Sequence, residues 1–153
     1  MWNKLLRCSL WRKGVKYVPA RPMHEDICFL TQIAWDARKV VHTGKALYHY
    51  RFLRAGAITA SSKKQNRKES AVNMINLYES LKNEPYIEVC KTDMLMRAVW
   101  NCLKINDMEV VREHREIVEF IAGVPYGRRY RSALPKQFIM KVWAKCALLT
   151  DKK

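Results

Sequence analysis

Apolar positions through much of the chain recur at three- and four-residue intervals, the period of a helix with one buried face. From residue 71 the pattern runs Ala71, Met74/Ile75, Tyr78 and Leu81/Lys82. A second stripe is Leu95, Ala98/Val99 and Cys102/Leu103; a third is Val110/Val111, His114, Ile117/Val118 and Ile121. Upstream, Ile27, Leu30, Ile33/Ala34, Ala37 and Val40/Val41 form another, and Leu47, Tyr48 and Phe52 predict a further helix to about Arg54. Near the C-terminus, Ile139, Val142/Trp143, Cys146 and Leu149 are expected to face inward. No period-two alternation competes with these stripes. The expected fold class is all-α, with five or six amphipathic helices.

Punctuation residues set the boundaries. Pro19 and Pro22 break any helix near them, so residues 1–23 read as an extended arm ahead of a single helical domain at 24–153. Thr43-Gly44 marks a turn. Ser62 and Gln65 have the spacing of a capping box opening the next helix, and Asn83-Glu84-Pro85 ends it. Thr92 or Asp93 is the expected cap of the following helix, with a tight break at Asn106-Asp107. Gly123 and Pro125 close the third stripe, Tyr126–Ser132 is a loop, and Pro135 suits the first turn of the last helix.

Leu95–Asp107 and Ile139–Asp151 match in character at an offset of 44, and Leu77–Tyr86 matches Ile117–Tyr126 at an offset of 40. Periods of that size suit stacked helical hairpins. Asp93–Phe120 loosely resembles one helix–turn–helix unit of the tetratricopeptide or pentatricopeptide repeat families. It lacks their consensus glycines and alanines, and no family is assigned on it.

Charge changes the picture most. Net charge is +15 in 153 residues, and it is sorted along the chain. Residues 1–68 carry 15 Lys/Arg against 3 Asp/Glu, residues 69–122 carry 6 against 10, and residues 123–153 carry 8 against 1. Two basic ends flank a mildly acidic middle, which suits a chain whose ends lie on a polyanion. Three clusters are the expected RNA contacts. The arm supplies Lys4, Arg7, Arg12, Lys13 and Lys16, interleaved with Trp11 and Tyr17. The connector supplies Lys63, Lys64, Arg67 and Lys68; the loop supplies Arg128, Arg129 and Arg131 beside Tyr126 and Tyr130. Guanidinium forks pair with phosphates and stack on bases, and aromatic faces stack whatever the base.

Catalytic signatures are missing from the sequence. His24, His42, His49 and His114 form no zinc spacing with one another or with cysteine, so no metal or other cofactor is expected. Glu109, Glu113, Glu116 and Glu119 alternate with Arg112 and Arg115 as a solvated ion-pair face. Cys8, Cys28, Cys90, Cys102 and Cys146 are odd in number with no CxxC, which reads as reduced thiols; Cys102 and Cys146 are expected in the core. No enzyme activity and no small-molecule substrate are expected. Met1–Pro22 is basic, acid-free and amphipathic, the profile of a mitochondrial targeting segment, here read as retained. The resulting expectation is a structural RNA-binding subunit of a large mitochondrial ribonucleoprotein, foremost the mitochondrial ribosome, on the matrix side. Its partners would be rRNA or other RNA and neighbouring proteins. The alternative is an accessory subunit of a respiratory complex or ATP synthase, its arm lying on cardiolipin-rich membrane.

Overall fold

The computed structural model describes residues 4–20, 23–49, 62–125 and 134–150, with the backbone alone described at 13, 14 and 134. Among these residues every regular element is a helix, and the fold is all-α. Its centre is a hairpin of α3 (Lys63–Leu81) and α4 (Ile87–Ile105). Ser62 caps α3, its hydroxyl accepting from the Gln65 backbone N–H at 3.1 Å. Only half of the capping box forms, because the Gln65 amide turns forward to Glu69, at 2.7 Å. Ala71, Met74, Ile75, Leu77 and Leu81 are wholly buried on the hairpin's inner side.

α3 stops where Asn83-Glu84-Pro85 was expected to stop it. α4, however, begins five residues ahead of Thr92. Ile87 is buried and lies seven and eight residues before Met94 and Leu95, so the same apolar face extends back to it. Burial of that turn outweighs the capping preference of Thr92 or Asp93. The far end breaks at Asn106 as the sequence indicates. Asn106 sits in the left-handed region at φ 52°, and its N–H closes on the carbonyls of Cys102 and Leu103.

The third stripe is two elements, α5 (Glu109–Arg112) and α6 (Arg115–Gly123), not one helix. Val111, Ile117, Val118 and Ile121 are buried as expected. At His114 the backbone leaves the helix and restarts it, Ile117 N–H donating to the His114 carbonyl at 3.0 Å. The run Arg112-Glu113-His114-Arg115-Glu116 has no large apolar side chain with which to hold that turn against the core.

α7 (Leu134–Thr150) packs mainly on α6 and carries Pro135 in its first turn. Its buried face corrects the expectation. Gln137, Met140, Ala144 and Ala147 are buried, while Ile139, Val142, Cys146 and Leu149 are exposed. This helix is apolar on both sides, so periodicity cannot choose between them. The side with Ala144 and Ala147 lets backbones approach closely.

The N-terminal third also departs from expectation. The arm is not uniformly extended, since α1 (Cys8–Gly14) is helical and ends before Pro19. α2 (Glu25–Ala34) stops well short of Val41. Ala37, Val40 and Val41 are not helical, nor are Leu47 and Tyr48, and residues 50–54 of the expected next helix lie outside the described residues. Val40, Val41 and Thr43 are β-branched, and Val40 is 84% exposed, so the stripe has nothing to bury against. At Thr43-Gly44 the chain kinks, with Gly44 at φ 68° and a bend at Lys45.

Candidate polyanion-binding surface

Two of the expected contact residues are committed elsewhere. The Lys16 ammonium pairs with Glu84, on the turn after α3. Lys68 pairs with Asp107 at 2.8 Å, tying α3 to the turn after α4. The Lys68 hydrogen bond holds the Asp107 carboxyl below its ordinary range, and Asp107 in turn raises the Lys68 ammonium. Lys4, Arg7 and Arg12 are exposed on and just before α1, and Lys63 and Lys64 on the first turn of α3. Arg67 is half-buried one turn further on. The Lys13 side chain and Arg128, Arg129 and Arg131 lie outside the described residues.

The arm is held down by two buried amides. Gln32 on α2 is 2% exposed. Its Oε1 accepts from the N–H groups of Lys16, at 2.7 Å, and Tyr17, at 2.9 Å. Its Nε2 donates to the carbonyls of Tyr17 and Cys28, both at 2.9 Å. Asn73 on α3 donates to the Met23 carbonyl at 2.6 Å and accepts from the Tyr17 hydroxyl at 3.2 Å. Trp11 on α1 lies against Phe29 on α2, with ring centroids 5.0 Å apart. The basic arm is therefore docked on the hairpin.

That docking builds a cleft of about 200 Å³ between the end of the arm and the start of α3, lined by Met23, His24, Lys63, Asn66, Arg67, Ser70 and Asn101. His24 precedes α2 at φ 62°, a left-handed conformation uncommon outside glycine. Asn101 Nδ2 donates to Ser70 Oγ at 2.9 Å. Ser70 Oγ lies 2.7 Å from His24 Nδ1. Burial first, and the Arg97 guanidinium second, push the His24 imidazole below its ordinary value; Asp26 and Glu25 oppose them.

A larger hollow of about 330 Å³ lies between Lys16, Gln32, Trp35, Asp36, Glu84 and Tyr86. Its charges are mixed and it presents no anion-selective lining. Elsewhere Glu79, His114 and Glu116 meet, His114 Nδ1 lying 3.7 Å from Glu79 and 3.6 Å from Glu116. Burial disfavours the Glu79 charge, but Lys82 at 2.7 Å, Glu116 and His114 outweigh it, and the carboxyl lies below its ordinary value. Lys82 makes this cluster an ion-pair network.

His24, Ser70, Arg97 and Asn101 were not among the residues expected at the surface. Lys63, Arg67 and Ser70 share an i, i+4, i+7 stripe on α3, as Arg97 and Asn101 share an i, i+4 stripe on α4, so each half was visible. Their meeting with His24 is tertiary. Compared with family models, curated proteins and solved structures, the chain shows no significant match.

Proposed function

We propose that this chain is a structural RNA-binding subunit of a large mitochondrial ribonucleoprotein, with the mitochondrial ribosome the foremost assembly. The observation that carries this reading is the sorting of charge: a net +12 over residues 1–68 and +7 over residues 123–153, around a −4 middle that supplies most of the core. Among the described residues of these segments, Lys16 and Lys68 are held in ion pairs. Arg7, Arg12, Lys63 and Lys64 project from the surface. A polyanion lying against such cations releases condensed counterions and offsets their repulsion. The mitochondrial setting is supported by the basic, acid-free Met1–Pro22 segment.

A second reading has its own support. Leu5, Trp11 and Val18 are exposed along the basic arm, the apolar component an anionic bilayer surface would take up. No helix among the described residues is long and apolar enough to cross a membrane. On this reading the chain is an accessory subunit of a respiratory complex or ATP synthase, resting on cardiolipin.

Sedimentation of organelle extracts with ultraviolet crosslinking separates the two. Co-migration with ribosomal particles and an RNA crosslink are expected. Recovery with inner-membrane complexes and no RNA crosslink would overturn the ribonucleoprotein assignment.

A further inference from the structure

We infer that the cleft between His24, Lys63, Arg67, Ser70 and Asn101 is an oxyanion site that receives a phosphate of the RNA backbone. The identity of the phosphate rests on the proposed RNA-binding role; the anion preference rests on the cleft. Ser70 Oγ accepts from Asn101 Nδ2 and is hydrogen-bonded to His24 Nδ1, which joins α3, α4 and the residue before α2 at the cleft. Burial and the Arg97 guanidinium disfavour the charged form of the His24 ring.

The lining is rich in donors: the Lys63 ammonium, the Arg67 guanidinium and the second Asn101 amide hydrogen. No carboxylate lines it. Asp26 and Glu25 act on His24 from α2 but are not among the lining residues, and the Asp26 carboxylate accepts from the Ile27 N–H at 2.9 Å. Arg97, one turn before Asn101, adds positive potential. A cation finds no ligand set in such a cleft, and an apolar group leaves its donors unpaired. A tetrahedral oxyanion satisfies several at once, with the Arg67 fork suited to two of its oxygens. At about 200 Å³ and open to solvent, the cleft has room for a phosphodiester with part of its flanking sugars. The end of the docked arm, α3 and Asn101 of α4 supply its walls.

The test uses the full chain and two probes. Inorganic phosphate is titrated while the His24 ring protons are followed by NMR, in wild type and in Lys63→Gln and Arg67→Gln. A single-stranded RNA oligonucleotide is titrated across salt with the same proteins and with Lys145→Gln, a charge-matched control on α7. Far-UV circular dichroism checks folding. Phosphate is expected to shift the His24 signals in wild type and much less in either variant. Each variant should also flatten the log-affinity against log-salt slope by roughly 0.7, the value for one lost single-strand phosphate contact, while Lys145→Gln leaves it unchanged. No His24 shift with phosphate, together with RNA slopes unchanged in both variants, overturns the site while leaving the RNA-binding role standing. A phosphate shift with no RNA binding by wild type overturns the RNA assignment and keeps the oxyanion site. Cardiolipin-vesicle binding that needs Lys63 and Arg67, with RNA indifferent to them, would likewise overturn the RNA assignment.

Discussion

Cys28 and Cys102 are buried to within 1% of their surface, and burial pushes their thiols up to about 12 and about 11 respectively. The thiolate is the reactive form, so both should be inert in the folded chain. Cys8 and Cys146 are exposed, and Cys90 is half-buried with its thiol raised by burial. A thiol-exchange reagent at pH 8 should therefore label Cys8 and Cys146 quickly, Cys90 slowly, and Cys28 and Cys102 only in denaturant. Fast native labelling of Cys102 would show that the α3–α4 core is open. Gln137 presents the opposite problem. It is 1% exposed, and neither amide atom has a hydrogen-bond partner among the described residues. Replacing an unsatisfied buried amide by an apolar group of similar shape removes a desolvation penalty, so Gln137→Met should stabilise the fold by about 1 kcal/mol in urea unfolding. His24 supplies a pH dependence. Its folded-state value lies below the ordinary one, so the unfolded chain binds the extra proton as pH falls below about 6.5. Stability should decline through that window and level off below the folded value. His24→Gln should remove this component, and a wild-type curve that rises on acidification there would refute the sign. Arg97 deepens the effect, while Glu25 and Asp26 moderate it.

Helix ends depend on single residues, and Asn106 is the clearest case. A left-handed φ of 52° costs an L side chain roughly 1–2 kcal/mol, less for asparagine and least for glycine. Asn106→Gly should be close to neutral and Asn106→Val should destabilise by about 1 kcal/mol or more, as thermal unfolding can show. Asn106 was also legible beforehand, for the same reason: its signal is local. Ser62, the Asn83-Glu84-Pro85 stop and Pro135 were legible on that ground too. What failed was whatever needed a neighbour. The start of α4 was misplaced because Ile87 gains from burial that Thr92 and Asp93 cannot announce. The expected face of α7 holds only in part: Trp143 packs against the core, but Ile139, Val142 and Leu149 are exposed and look as apolar as the Met140 side that packs. α2 was drawn too long because Val40 and Val41 continue its stripe where no partner element covers them. The candidate site divides in the same way. Lys63 and Arg67 were visible as cations, but His24 and Asn101 come from other elements, and no spacing in the sequence joins them to Ser70.

At the scale of the whole molecule, some described basic residues are held in ion pairs and others are exposed, and this makes the polyanion reading testable without knowing the assembly. Lys68 holds α3 to the turn after α4 through Asp107, and Lys16 holds the arm to Glu84. Arg7 and Arg12 are exposed on α1. Reversing Lys68 puts two like charges at one contact, so Lys68→Glu should lower the melting temperature. The size of that loss should be modest, because the pair is partly open to solvent. It should also shrink on acidification: protonation of the facing carboxyls removes the repulsion in the variant, and protonation of Asp107 below its Lys68-depressed value ends the ion pair in wild type. Arg12→Glu should leave the melting temperature nearly unchanged. Its effect should instead appear in RNA titrations, as weaker binding and a flatter salt dependence, by roughly 0.7 in slope for a lost single-strand contact. A membrane-bound arm predicts another pattern. Binding to cardiolipin vesicles would then fall with Leu5→Ser and Trp11→Ser as much as with Arg12→Glu, because apolar insertion and charge act together at a bilayer surface. RNA affinity that ignores Arg7 and Arg12, beside vesicle binding that follows Leu5 and Trp11, would assign the basic arm to lipid.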